Sequence, residues 1–422
     1  MSGKIEKEIL FWTAAGHFCN HVGNYITPAL LIYLQSDIAL TQTERGLLGS
    51  IPMILLVFLS SLVGRFGDHY PTMRKHLIWL GIIGIGIFGF IISFANNFLD
   101  LVFATIILGI ALSSYHPLAF VFLNTMPNKD RNMGINAVSG NFGSAITPFL
   151  AMIIAVLFGW REAFLLFSAF QIIIGLFIAR YFPNDEKIHM DLSNYSQKEQ
   201  EYEIPFTDLQ IVSLTLLLVF IAAARAPVFR CISYFTTIVF SDAFMFTRIE
   251  SSILAAIVLG IGAFATFLIG VLNNRKAQRG VGRNERINFR INAILLSNGV
   301  SALLLFLLVL IPVTNSYGIM ITYIGLSFFF FLGAAVLPTV ISEITVKDMS
   351  LAFGVLFAGA TLTGAIAPTF FGYLADNFGF SASFSFLGSV AIICVVLIII
   401  FKIIYKKVIW TQNKDNNSLV QP

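Results

Sequence analysis

The sequence predicts an all-α polytopic membrane protein, with twelve transmembrane helices in two pseudo-symmetric six-helix bundles. Three observations predict it. Hydrophobic residues make up 57% of the 422 residues and charged residues 11%, whereas soluble domains carry about 25% charged and 45–50% apolar residues. Twelve apolar segments are long enough to cross a bilayer, which takes about 20 residues of helix. The second half of the chain also reads as a diverged copy of the first.

The composition excludes several classes. Disorder needs low hydrophobicity and high net charge, and the formal net charge here is only +4. A soluble multidomain chain does not carry this apolar excess. No block of five like charges occurs, so nucleic acid is not an expected partner. Cys19, Cys231 and Cys394 all lie in apolar runs, which predicts buried thiols rather than a disulfide framework. The first apolar stretch is interrupted by His17, Asn20, His21 and Asn24. It lacks the clean core of a signal peptide and reads as a retained first helix.

The spans fall near 9–34, 46–66, 77–95, 98–124, 133–157, 162–182, 209–240, 250–272, 290–311, 317–344, 350–374 and 380–404. The longest connection is polar, contains Pro183 and Pro205, and divides the spans six and six. The expected organisation is an N-terminal bundle (1–182), a linker (183–208), a C-terminal bundle (209–404) and a tail (405–422). Lys/Arg bias sets orientation. With the N-terminus inside, the inner segments hold 21 Lys/Arg and the outer loops three, Arg45, Arg161 and Arg248. Both termini are therefore expected in the cytoplasm of a plasma-membrane protein.

Self-comparison locates the repeat. At an offset of 206, Leu40-Thr41-Gln42-Thr43-Glu44 lies over Phe246-Thr247-Arg248-Ile249-Glu250. At an offset of 220, Ala145-Ile146-Thr147-Pro148 lies over Ala365-Ile366-Ala367-Pro368, and Phe158-Gly159 over Phe378-Gly379. Six helices return the chain to its starting side, so the copies share an orientation and their pseudo-twofold axis runs along the membrane normal.

The turn after the second span reads Gly64-Arg65-Phe66-Gly67-Asp68, with Arg74-Lys75 following. It resembles the cytoplasmic signature of the major facilitator superfamily. Gly64, Asp68, Arg74 and Lys75 match, while His69 and Pro71 depart from it. The resemblance implies a latch between bundles on the inner side. A second segment, from Gly134 through Gly143 to Thr147-Pro148, is similar to the antiporter signature of drug exporters in the same superfamily, with Thr147 and Ala151-Met152 as departures. Those small residues also fit a plain packing face. Leu108 to Pro117, Ser139 to Ala145 and the His17-to-His21 segment resemble the superfamily's fosmidomycin-resistance branch. That branch usually has an acidic residue after His-Pro, and here the position is Leu118. Proton coupling through that carboxylate cannot be carried over.

Intramembrane polar groups are functional candidates. His17, His21, Asn24 and Pro28 share one helical face, which can line a cavity or serve interhelical hydrogen bonds. Histidines at i and i+4 can share a metal ion, but no acidic or cysteine partner has a convincing spacing and no metal is expected. His116 and Asn141 join the substrate-binding candidates. In the seventh span, Arg225 and Arg230 lie about 140° apart on an ideal helix, and the 206 offset sets Arg230 over Asn24. At least one arginine is expected to face a cavity. Gly64, Asp68, Arg74, Lys75, Gly134, Gly143 and Pro148 are the gating candidates.

No nucleotide-binding loop of the Gly-x4-Gly-Lys-Ser/Thr kind occurs, so ATP hydrolysis and a cofactor are not expected. The reading is a monomeric secondary transporter in the lipid bilayer. It would export a small anionic or amphipathic compound, with protons as a candidate coupling ion. Uptake or facilitated diffusion of an organic anion is the rival reading. A non-transporting receptor or enzyme is disfavoured, because neither a large appendage nor paired catalytic groups are visible.

Overall fold

The computed structural model describes residues 3–124, 126, 129–183, 208–334, 336–344 and 349–418. Nearly all of the expected linker lies outside them. The described residues are helical throughout. The helices are α1 (Gly3–Leu34), α2 (Gln42–His69), α3 (Arg74–Ile92), α4 (Phe98–Leu112), α5 (Tyr115–Asn124), α6 (Lys129–Phe158) and α7 (Trp160–Tyr181). After the linker come α8 (Asp208–Ile238), α9 (Arg248–Gln278), α10 (Arg283–Leu310), α11 (Ser316–Leu332), α12 (Val336–Ile344), α13 (Met349–Phe378) and α14 (Phe380–Ser418). Among the described residues, eleven segments are long and apolar enough to cross a membrane. α1 is not one of them, because its polar stripe lowers its hydropathy. It is the right length all the same, with 32 residues.

Two expected spans prove to be broken. The fourth divides into α4 and α5 at Ser113-Ser114, and the tenth into α11 and α12 after Gly333. The physical cause is a proline in both cases. Pro117 is the third residue of α5 and Pro338 the third of α12. Proline lacks an N–H and clashes with the carbonyl four residues back, so it is tolerated in a first turn and ends the helix before it. The helix ends Leu112 and Leu332 recur at the 220 offset found by self-comparison, and the two prolines at 221. The 206 offset is matched as well. Thr41 and Glu44 form a capping box on α2, and the Thr247 hydroxyl and Glu250 carboxylate exchange the same reciprocal bonds at the start of α9.

The chain clusters into two compact units, each discontinuous. One comprises Met1–Lys198, Tyr234–Gly260 and Pro368–Asp376, and the other Glu199–Ser233, Ile261–Ala367 and Asn377–Pro422. In the first unit α3 packs on α7 and α4; in the second, α10 packs on α14 and α11. These are corresponding pairs in the two halves. Ser168 Oγ donates to the Gly86 carbonyl at 2.6 Å where α3 and α7 cross, and small residues let the backbones approach this closely.

The first unit contains a polar knot at the start of α2. Arg45 is only 2% exposed, and its Nη1 donates to Asp242 Oδ2 at 2.6 Å. Asp242 sits in a π-helical turn, Val239–Ala243, that extends α8. Gln42 Nε2 donates to the same carboxylate oxygen at 2.9 Å. The carboxylate of Asp376 on α13 accepts from the Gln42 and Thr43 backbone N–H groups at 2.8 and 2.7 Å. A carboxylate there satisfies orphan donors and meets the positive end of the α2 dipole. Tyr234 Oη closes the knot by donating to the Arg45 carbonyl at 2.9 Å. Glycine is required at Gly46, where a Cβ would collide with the Pro368 carbonyl. Arg45 was expected in a loop and is instead a buried, paired helix residue.

Two substitutions separate these roles. Asp376→Ala removes a helix cap and is expected to cost about 1 kcal/mol. Asp242→Ala strands a buried guanidinium and is expected to cost about 3 kcal/mol. Thermal unfolding of the detergent-purified variants should rank them in that order, with Asp242→Ala the lower-melting.

Candidate functional site

The first unit gathers three histidines. His17 and His21 share one face of α1, and the α4–α5 break places His116 in the first turn of α5. Ring centroids are 4.6 Å apart for His17 and His21, 5.2 Å for His17 and His116, and 6.4 Å for His21 and His116. Each offers a ring nitrogen within 4.8 Å of the other two. The sequence reading groups His116 with His17 and His21 as substrate-binding candidates but does not consider it as a third metal ligand.

Each α1 histidine is held from α6. His17 Nδ1 lies 2.6 Å from the Asn136 carbonyl. A carbonyl only accepts, so Nδ1 carries the hydrogen and Nε2 of the neutral ring presents its lone pair. His21 Nδ1 lies 2.6 Å from Ser144 Oγ, and that hydroxyl donates to the Gly140 carbonyl. The serine then accepts from His21 Nδ1. Tyr115 stacks on His17 at 5.3 Å, and its hydroxyl donates to the Thr13 carbonyl and to Asn136 Oδ1 at 2.6 and 2.9 Å. Asn136, Ser144 and Tyr115 were not among the expected site residues. Tyr115 and Ser144 lie in segments that carry the resemblance to the fosmidomycin-resistance branch, whereas Asn136 showed only polarity inside an apolar segment. Asn24 and Asn141 are partly exposed.

The glycine-bearing face of α6 packs directly on α1. A Cβ at Gly140 would come within 2.9 Å of three atoms of the His17 ring, and one at Gly143 would meet the Phe18 carbonyl at 2.8 Å. Gly134 has open space around its Cα. Pro148 lies inside the helix. At the other end of α2, Arg74 organises its own turn. Its Nη2 lies 3.4 Å from Asp68 Oδ1, and its Nε donates to the Gly67 carbonyl at 3.0 Å. Lys75 is buried at the start of α3. A Cβ at Gly64 would rest 3.4 Å from Pro117, and one at Gly67 would strike Leu118. Leu118 is thus buried against α2 in a slot shaped for an apolar side chain.

The second unit holds both arginines of α8, and both are buried. Arg225 has protein partners. Nη1 donates to Ser297 Oγ at 3.2 Å and Nη2 to the Phe330 carbonyl at 2.8 Å. Its guanidinium carbon lies 4.5 Å over the Phe330 ring. Phe330 is in the last turn of α11, just before the break, where the helix presents its negative end. Arg225 therefore braces a helix terminus. A further pair of arginines, Arg286 and Arg290 on α10, converges on Glu343 Oε1 of α12 at 3.0 and 2.6 Å.

Comparison with known proteins agrees with this architecture. The probable sulfoacetate transporter SauU of Cupriavidus necator is 26% identical over 370 residues, covering 82% of each chain. The uncharacterized MFS-type transporter YfnC of Bacillus subtilis is 23% identical over 358 residues, 83% of this chain and 84% of its own. A POT family transporter crystallised with a thioalcohol-conjugated peptide superimposes with a TM-score of 0.73 at 14% identity, over 94% of this chain and 96% of the other. The model of the Major Facilitator Superfamily matches residues 13–340, well over half of the chain. With its paired helix breaks, doubled capping boxes and corresponding helix pairs, the chain belongs to the Major Facilitator Superfamily, a family of membrane transporters.

Proposed function

We propose that the protein is a secondary carrier that exports a small anion by alternating access, with Arg230 as its cationic contact. The burial of Arg230 in a membrane span carries this reading. A cation in that setting is costly and marks a pathway or a binding site. Its neighbour Arg225 is held by Ser297 and Phe330, and Arg230 is the arginine that the 206 offset sets over Asn24. Arginine offers carboxylates, sulfonates and phosphonates a two-pronged bond. A relative covering most of the chain is named for sulfoacetate transport, which is an anion. His21, Asn24 and Asn141 are the neutral polar candidates of the first half.

Export follows from the resemblance to the fosmidomycin-resistance branch. Both termini are assigned to the cytoplasm from the bias of 21 Lys/Arg against three. In this orientation the Arg45–Asp242–Asp376 knot is at the outer end and the Asp68 turn at the inner end.

Proteoliposomes of known sidedness test the reading. Labelled small sulfonates, carboxylates and phosphonates should exchange across the wild-type protein, and lipophilic cations should not. Arg230→Gln should abolish exchange, while Arg230→Lys keeps the charge, loses the fork and retains part of it. Normal anion exchange by Arg230→Gln, or preference for cations, overturns the anion reading. Inward-only flux would reverse the direction and favour uptake.

The Asp68 turn gives a second test. Asp68 is exposed, and an exposed ion pair is worth about 0.2–1 kcal/mol. Asp68→Asn should leave the melting temperature and ligand affinity nearly unchanged and still slow exchange. Equal loss of binding and exchange would remove the gating role.

A further inference from the structure

We propose that His17, His21 and His116 form a binding site for a divalent transition-metal ion of the zinc class. Three neutral imidazoles with one coordination position open to solvent or an anion is a familiar donor set for zinc. The ring nitrogens lie within 4.8 Å of one another. Zinc–nitrogen bonds of about 2.0–2.1 Å in a tetrahedron set the nitrogens about 3.4 Å apart.

Three features point to a ligand rather than to chance proximity. His17 is 93% buried by its 7% exposure, and its Nε2 has no hydrogen-bond partner among the described residues. A buried lone pair left without a donor costs free energy, and a cation is the partner it lacks. The second nitrogens of the two α1 histidines are also in order. Nδ1 of His17 donates to the Asn136 carbonyl, and Nδ1 of His21 to Ser144 Oγ. Metal-binding histidines nearly always donate their other N–H to such an oxygen, which fixes the tautomer and aims the ligating nitrogen. Finally, the packing is shaped to hold the His17 ring, because any Cβ at position 140 would press against it.

The spacing of His17 and His21 was legible in the sequence, but the third ligand was sought among carboxylates and cysteines. It comes instead from α5, turned into place by the Pro117 break. Of the six histidines in the chain, His69 and His76 are exposed and remote in sequence from the cluster, which makes them internal controls. Metal binding here does not depend on Arg230 or on what is transported, so either reading can fail alone.

The experiment uses the full chain, purified in detergent without a polyhistidine tag and stripped with chelator. Calorimetric titration with Zn2+ should give one equivalent of tight binding. Titration with Co2+ should give the intense visible bands of a four-coordinate nitrogen site. His116→Ala should abolish the equivalent, and His69→Ala/His76→Ala should keep it. Ser144→Ala leaves all three ligands in place and should weaken binding about 10–100-fold, as loss of an outer-shell hydrogen bond does. No stoichiometric Zn2+ binding by wild type, or a weak octahedral Co2+ spectrum, overturns the site whatever the variants do. Unchanged binding in a folded His116→Ala protein overturns it too.

Discussion

A polar group inside a hydrocarbon layer has to find its partner within the protein, because water is not there to supply one. The buried guanidiniums show how far this constraint shapes the chain. Arg45 meets the carboxylate of Asp242, brought from the end of α8. Arg290 shares Glu343 with Arg286. Arg225 has no carboxylate and uses a helix terminus instead, donating to the Phe330 carbonyl and the Ser297 hydroxyl. The three solutions differ in kind. Two are ion pairs whose rupture strands a charge. The third converts the break between α11 and α12 from a liability into a binding partner, since the last carbonyls of α11 need donors.

The helix breaks connect this constraint to the sites. A proline three residues into α5 and α12 stops the preceding helix, frees its terminal carbonyls and re-aims the residues that follow. In the second half the freed carbonyl holds Arg225. In the first half the re-aimed residues are Tyr115 and His116, which face the α1 histidines. One local rule, repeated in both copies, thus produces a braced cation in one unit and a histidine cluster in the other. The difference lies in the side chains that flank each break, not in the backbone device.

Much of the fold was legible in the sequence because it depends on local or periodic information. Hydropathy marks the segments, and Thr-x-x-Glu with its later echo marks the repeated start of α2 and α9. The i, i+4 spacing sets His17 and His21 on one face. The pairings were not legible, and the reason is geometric. Arg45 and Asp242 are 197 residues apart, and nothing local to either predicts the other. Arg45 reads as a loop charge from sequence because the second apolar segment begins one residue later, at Gly46. Its burial follows from the approach of α13 at Gly46 and of the end of α8 at Asp242 and Tyr234. The breaks within the fourth and tenth spans were hidden differently. Both halves of each span are apolar, so hydropathy runs through the interruption.

The glycines of α6 are the last place where pattern and structure have to be reconciled. Read as a motif, Gly134, Gly143 and Pro148 point to an antiporter and hence to a direction of transport. Read against their neighbours, they divide. Gly143 sits where a side chain would strike the α1 backbone, and Gly140, between them, where it would strike the His17 ring. Gly134 touches nothing within 4 Å that would exclude a side chain. The two glycines with a steric reason are those that press α6 onto the histidine face of α1. Small residues there are required by the Asn136 and Ser144 hydrogen bonds to His17 and His21, which form only at this separation. The glycine pattern is then a consequence of building the histidine cluster.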